Sequence, residues 1–404
     1  MLVQRAYIYR LMPTPEQEGL FRQYAGACRW VYNQGVALNE QRRKDGDKRL
    51  HYVQLQKELT RWRHDPASAW LGELPCGYQQ AALRDLDRGY VNLFEKRAQA
   101  PTFKKKRVSR DSFKAFAPFF AFDGGNRRLR VPGAGWIRFR KDRLPAGEVK
   151  NITVSRVGRH WQASVQVELE VAAPVHPSTT PVGVDLGVAK FAALSTGQVI
   201  RAPVDRLLEL ERRMKRAQRR LARKVKFSAN WKKQRARITS LHRRITNVRV
   251  DFLHKTTTAI CKSHALVVVE DLEVQSMSKS ARGTVNAPGR NVRAKAGLNR
   301  SILRQGWAEF RRQLDYKQRW LGGTVLAVDP RNTSRRCPEC GHVSAENRVA
   351  QAVFACVACG HQADADVNAA RNILTAARYA VAACGGPALS GGPMKQEPPP
   401  MAAA

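Results

Sequence analysis

Residues 331–373 read RNTSRRCPECGHVSAENRVAQAVFACVACGHQADADVNAARNI. Two Cys-x-x-Cys pairs, Cys337/Cys340 and Cys356/Cys359, flank 15 residues, and two aspartates, Asp364 and Asp366, follow within seven residues of the last cysteine. Four soft thiolates at this spacing suit one tetrahedral, structural zinc ion. Pro338, Gly341 and Gly360 fit the tight turn that each knuckle needs. His342 and His361 could each replace a thiol, but four cysteines already close the set. A redox dithiol pair would need a thioredoxin-like surrounding, which two matched knuckles argue against. The stretch then runs into a helix from about Asp366 to Ala383, with Ala370, Ile373, Leu374 and Ala377 on one face. A metal-held knuckle therefore leads straight into a carboxylate at a helix start.

Outward from there, charge dominates. The 404-residue chain carries 71 Lys+Arg against 33 Asp+Glu, a net charge of +38. Such self-repulsion calls for a polyanion, and nucleic acid is the expected partner. No long apolar span, lipidation signal or signal-peptide core is visible, so no membrane role is expected and the protein reads as intracellular, in the cytoplasm. Cys28, Cys76, Cys261 and Cys384 are scattered and read as buried apolar residues rather than disulfide partners.

Taken in order, residues 3–11 alternate as a strand. Thr14-Pro15-Glu16-Gln17 starts a helix with a capping box, and helical patterns continue to about Arg97. A basic loop follows, Pro101-Thr102-Phe103-Lys104-Lys105-Lys106-Arg107. Residues 112–169 change to short strands, the clearest pair being 149–157 and 160–169 about Gly158. Residues 1–171 thus read as a β-barrel or sandwich interrupted by a helical insertion at about 14–100. Residues 172–181 read as a linker.

The second region, 182–384, opens with a strand at 182–186 and a hairpin over 190–201. Residues 205–260 read as a long helical hairpin broken near 228–230. Between 211 and 250 it holds 16 Lys/Arg and one acid, Glu211. A solvated face mixes signs, so this face points to polyanion contact through Arg216, Arg219, Arg220 and Arg223. An apolar strand at 265–269 ends in Glu270. Residues 273–300 read as a mobile loop or lid, 301–320 as a helix and 324–328 as a strand. The Gly/Pro-rich tail, 385–404, reads as disordered.

Asp185 ends a strand, Glu270 ends a buried strand and Asp366 opens a helix, separated by 85 (185 to 270) and 96 (270 to 366) residues. Singly, each has a structural explanation: a turn, a solvated strand end, a helix cap. As a set on such elements they match a ribonuclease-H-like site. Such sites hold two divalent cations roughly 3.5–4 Å apart, and hard oxygen ligands suit magnesium or manganese.

At these residues the sequence resembles the TnpB (OrfB-type) proteins of bacterial insertion sequences, relatives of type V CRISPR effectors. The matching stretches are YRLMPTPEQ with ACRWVYN, PTFKKK, GVDLGV, RVDFLHK, VVVEDL, WAEFRRQLDYK, NTSRRCPECG and CVACGHQADADVNAARNI, in that order. The resemblance implies an α+β multidomain protein: an N-terminal β-barrel (wedge) with a helical recognition insertion, then a RuvC domain with a zinc ribbon over 331–362. It implies Asp185, Glu270 and Asp366 as catalytic metal ligands, Asp366 rather than Asp364 because it sits in the matching Asp-Val-Asn-Ala-Ala frame. It implies an RNA-guided DNA endonuclease whose guide comes from the transposon end and which reads a transposon-adjacent motif. Its partners would be guide RNA and double-stranded target DNA with a displaced strand, engaged as a monomer or as an asymmetric dimer on one RNA. Lys104, Lys105, Lys106 and Arg107 join the hairpin arginines as nucleic-acid candidates, with Trp30, Tyr32 and Phe103 as possible stacking residues. Two rival readings share these features: a guide-directed repressor or transposition accessory factor that does not cut, and a transposase or junction resolvase that needs no guide.

Overall fold

The computed structural model describes residues 2–106, 108–140 and 144–383. The chain divides into two compact units, one ending at Ala172 and the other beginning at Ala173.

The first unit runs β1 (Leu2–Met12), α1 (Pro15–Lys44), α2 (Tyr52–His64), α3 (Cys76–Phe94), β2 (Ser112–Phe116), β3 (Ala121–Asp123), β4 (Arg128–Val131), β5 (Gly135–Phe139), β6 (Glu148–Val157) and β7 (His160–Glu170). The capping box sets the start of α1. Thr14 Oγ1 accepts from the Gln17 amide at 3.3 Å, and Gln17 Oε1 accepts from the Thr14 amide at 3.1 Å. The strands form one antiparallel ladder in the order β2-β6-β7-β1-β5-β4-β3. β1 pairs with β7 over residues 2–10 and passes to β5 at Leu11 and Met12, so one strand serves both halves. Among the described residues β2 and β3, at the two ends, are not paired with each other. Trp161, Ala163, Val165 and Val167 alternate inward along β7 and are all buried. Phe21 of α1 packs on Trp161 and Phe113, with ring centroids 5.1 and 5.4 Å away.

The second unit runs β8 (Pro181–Leu186), β9 (Ala192–Leu194), β10 (Val199–Ile200), α4 (Val204–Ala222), α5 (Ala229–Ser263), β11 (Leu266–Glu270), α6 (Val274–Met277), α7 (Val292–Gln305), α8 (Trp307–Leu321), β12 (Thr324–Val328), β13 (Val353–Ala355), β14 (Gln362–Asp364) and α9 (Ala365–Ala383). Its five-stranded sheet has the order β10-β9-β8-β11-β12. β8, β11 and β12 are parallel and β9 is antiparallel to β8. One face, with Val182, Val184, Val267 and Val269, packs on Leu253 and Ile260 of α5 and on Phe310 and Leu314 of α8. The other, with Leu266, Val268 and Val328, packs on Ile373 and Ala377 of α9. Cover on both faces explains why these strands read as unbroken apolar runs.

Three local readings change. The stretch 273–300, expected to be a mobile loop, contains α6 and most of α7. Lys295 Nζ donates to the Met277 carbonyl at 2.7 Å, and Asn299 Nδ2 to those of Ser278 and Lys279 at 2.9 and 3.0 Å. Alanine, lysine and arginine there favour helix; the polar composition hid it. The single helix expected over 301–320 is two helices, broken at Gly306 with φ +75°. The linker residues are tied down: His176 Nε2 lies 2.7 Å from the Cys261 carbonyl, and Thr180 Oγ1 donates to that of Ser263 at 3.0 Å. Cys28 and Cys261 are buried, whereas Cys76 at the start of α3 is partly exposed. Arg107, Cys384 and the tail 385–404 lie outside the described residues. Among the described residues no helix is long and apolar enough to cross a membrane.

Candidate active site and metal centre

The register of β8 on β11 pairs Gly183 with Val268 and Val184 with Val269. Asp185 and Glu270 therefore lie side by side at the C-terminal ends of adjacent parallel strands. Residues two apart on a strand share a face, so Asp185 points the same way as Gly183, toward α9. There the helix backbone lies directly on the strand: a Cβ on Gly183 would stand 2.9 Å from both Cβ and N of Leu374, and nearer still to the Ala370 carbonyl oxygen. Asp366 sits one helical turn before Ala370, which brings its carboxylate to the same end of β8.

The electrostatics follow from that convergence. Burial first, then the Glu270 and Asp366 carboxylates, push the Asp185 carboxyl up to about 7, against the opposing pull of Arg348 and Lys190. Burial also raises Glu270, opposed by the Thr333 hydroxyl that donates to its Oε1 at 2.7 Å. Asp366 lies 3.1 Å from Lys190 Nζ and 3.6 Å from the Arg348 guanidinium. Asp364 has a different task. Its Oδ1 accepts from the amides of Asp366 and Val367 at 3.1 and 3.2 Å, capping α9. Its other oxygen meets Lys190 at 2.8 Å. These bonds hold the Asp364 carboxyl below its ordinary range despite the burial that opposes them.

The four cysteines form a second cluster. Their sulfurs all lie within 4.8 Å of one another. Cys337–Cys359 and Cys340–Cys356 are 3.6 Å apart, close to the ~3.8 Å edge of a tetrahedron with zinc–sulfur bonds of about 2.3 Å. The donor set and spacing therefore fit zinc. The two knuckles repeat each other. The Cys337 amide donates to the His342 carbonyl and the Gly341 amide to that of Cys337; Cys356, His361 and Gly360 do the same in the second, at 2.9–3.0 Å. Gly341 and Gly360 take φ +77° and +73°, where other residues are strained. Among the described residues, no other set of three or more His, Cys, Asp and Glu side chains is gathered so tightly around one point, the three carboxylates included.

The nucleic-acid candidates separate. Lys104 is half-buried, its Nζ 3.6 Å from the centroid of buried Tyr32, and Asn33 holds its backbone by two hydrogen bonds of 2.8 and 3.0 Å. Trp30 packs edge-on against Trp62 and Trp70. Lys105, Lys106 and Phe103 are exposed, as are Arg216, Arg219, Arg220 and Arg223.

Sequence reasoning missed the residues that fasten these parts together. Asn372 Nδ2 donates to the carbonyls of Thr333 and Arg336 at 2.8 and 2.7 Å, and Asn368 Nδ2 to that of Arg336 at 3.1 Å. Asn347, fully buried, donates to the carbonyls of Arg335 and His342 and accepts from the Val357 amide. The i, i+4 spacing of Asn368 and Asn372 on one helix was the available signal. Lys190 and Arg348, in loops, gave none.

Comparison with known proteins adds the following. A family model described as "Probable transposase" (OrfB_IS605) matches residues 164–281, one described as "Cas12f1-like, TNB domain" matches 307–373, and one described as "Helix-turn-helix domain" matches 1–48. The last description does not fit the conformation here, since those residues form β1 and one uninterrupted helix, α1. The chain is 50% identical over 397 residues to "Putative RNA-guided DNA endonuclease InsQ" of Escherichia coli (strain K12), covering 98% of both chains. It is 34% identical over 389 residues to "Putative RNA-guided DNA endonuclease" of Streptomyces pristinaespiralis, covering 95% of this chain and 91% of that one. Among solved structures, "Cryo-EM structure of the Cas12f1-sgRNA-target DNA complex" aligns over 92% of this chain and 99% of its own, with a TM-score of 0.33 and 18% identity.

Proposed function

Because the chain belongs to the OrfB (TnpB-type) family of insertion-sequence proteins, we propose that it is an RNA-guided DNA endonuclease whose phosphodiester hydrolysis depends on divalent metal at Asp185, Glu270 and Asp366. The observation that carries this reading is the meeting of those three carboxylates, from β8, β11 and α9, within a chain of net charge +38. An acidic cluster inside a basic protein is costly unless cations neutralise it where the phosphodiester binds. The sheet order, with three parallel strands and an antiparallel neighbour on the β8 side, supports a ribonuclease-H-like (RuvC) assignment. A guide derived from the transposon end, a transposon-adjacent motif and work at the bacterial nucleoid rest on the family resemblance.

Magnesium or manganese ions, when bound, would activate the attacking water and stabilise the leaving oxygen. The protein's own residues prepare the ground. Asp185 is buried beside two like charges, so its carboxylate gains most from a cation. Thr333 fixes the rotamer of Glu270 through its short hydrogen bond. Lys190 and Arg348 hold Asp366 from the solvent side. The zinc ribbon, anchored to α9 through Asn368 and Asn372, sets where that helix begins and hence where Asp366 points. Zinc is structural here, because four thiolates leave no open position for a substrate.

The test is to express the protein with its flanking DNA, sequence the RNA that co-purifies, and assay magnesium-dependent cleavage of a matching target. Asp185→Ala and Asp366→Ala should each abolish cutting while RNA still binds. Cleavage surviving either change sinks the site assignment, and cleavage by RNA-free protein sinks the guided reading.

A further inference from the structure

The α4–α5 hairpin carries a surface whose chemistry is more specific than its net charge. Between the helices runs a cleft of about 500 Å³ lined by Arg213, Arg216 and Arg220 of α4 and by Arg237 and Arg244 of α5, with Gln234 at one end. No acid lines it. Arg213 pairs with Glu209 at 3.3 Å, but among the described residues Arg216, Arg220, Arg237 and Arg244 form no ion pair with a carboxylate. On each wall the arginines span seven residues, about 10 Å of helix, the rise of about three successive phosphates on one duplex strand.

The tip of the hairpin is aromatic. Phe227 is 57% exposed and holds φ +69°, a left-handed conformation that a bulky residue adopts only when its surroundings impose it. Its ring lies 5.5 Å from that of Trp231, and the Arg235 guanidinium sits 5.4 Å from the Trp231 ring centroid. Phe227, just before α5, thus continues into Trp231 and Arg235 as a ladder over the first turns of that helix.

We propose that this hairpin is a clamp for the end of a nucleic-acid duplex: the arginine cleft takes the phosphates of one strand, and Phe227 stacks on the terminal base pair. Guanidinium forks suit phosphate oxygens in pairs, and an aromatic face accepts any base, so the clamp is blind to sequence. The source of the duplex, structured RNA or DNA, shares this chemistry. The proposal deepens the guided-nuclease reading and rests on it for the presence of a duplex.

The test uses full-length protein and fluorescence anisotropy across a salt series. The probes are a blunt RNA stem-loop, a DNA duplex of the same sequence, and versions of each with both ends closed by loops. The Arg216→Gln/Arg237→Gln pair should lower the slope of log affinity against log salt by about two. Phe227→Ala should weaken the blunt probes about tenfold, as expected for one lost base–aromatic stack, leave the closed probes unchanged, and be rescued by Phe227→Trp. The probe suffering the larger loss names the occupant. An unchanged slope, or equal loss on blunt and closed probes, overturns the clamp. Binding is read without cutting, so a wild-type protein that never cleaves would remove the nuclease reading alone.

Discussion

Gly183→Ala is a one-carbon test of how the site is built. The new Cβ would stand 2.9 Å from the Leu374 Cβ and backbone nitrogen, and closer to the Ala370 carbonyl. Carbon contacts settle at about 3.5–4.0 Å, so α9 must withdraw by at least ~0.6 Å, and on the order of 1 Å to clear the carbonyl. Overpacking of this kind costs about 1–3 kcal/mol, a fall in Tm of roughly 3–10 °C for a unit of this size. Asp366 rides on the displaced turn, and a misplacement of ~1 Å at a reacting centre costs about 100-fold in rate. Single-turnover cleavage well below the melting temperature separates the second effect from the first. Gly297→Ala in α7 is the control: its Cβ meets nothing within 4 Å, and alanine favours helix by about 1 kcal/mol. If Gly183→Ala melts with the wild type and cuts within about twofold of it, the close approach of α9 to β8 does not position Asp366.

Four further outcomes are expected. Asp364→Asn keeps a capping oxygen but loses its charge and should cost about 0.3–1 kcal/mol in a denaturant melt with cleavage largely kept, whereas Asp366→Asn should abolish cleavage; equal loss of activity would assign both aspartates to the metal site. Cys356→Ser should lose stoichiometric zinc by metal analysis and destabilise the second unit, and a folded, zinc-free variant would refute the ribbon as a metal-built element. Asp185, raised to about 7 in the fold against about 3.9 unfolded, keeps a proton that the unfolded chain has released; the metal-free protein should therefore lose up to a few kcal/mol as pH rises from about 4 through 7. Asp185→Asn should flatten that slope and saturating magnesium should oppose it, so a wild-type melt independent of pH would count against the convergence. Lys190→Met should leave Asp366 less restrained, raising the magnesium concentration needed for half-maximal cutting, and an unchanged metal titration would limit Lys190 to its contact with Asp364.

Much of this architecture was legible because its signals are local. Thr14 and Gln17 announce α1 within four residues, and the Gly158 turn joins β6 to β7 where alternation says it should. The cysteine spacing names its own ligands. What stayed hidden acts across distance or through the backbone. Asn347, Asn368 and Asn372 work by donating to carbonyls, which no residue type advertises. Gly306 falls inside the stretch expected to be one helix, yet its positive φ splits α7 from α8. The Arg- and Ser-rich stretch before it conceals a helix because its polar composition suits a loop equally well. Gly183 was visible in Gly-Val-Asp-Leu-Gly, but only the packing of α9 shows that its missing side chain is what admits the helix.

The order of the elements along the chain has a temporal consequence. Synthesis delivers Asp185 first, Glu270 after 85 more residues and Asp366 only 96 residues later. At about 5–20 residues per second, that last interval is roughly 5–20 s. Through it the basic hairpin, proposed to hold nucleic acid, is already made while one of the three proposed metal ligands is not. The four cysteines of the ribbon are made within the same interval. On the proposed roles, the nucleic-acid surface is therefore synthesised before the last metal ligand, and binding precedes cutting as the chain grows.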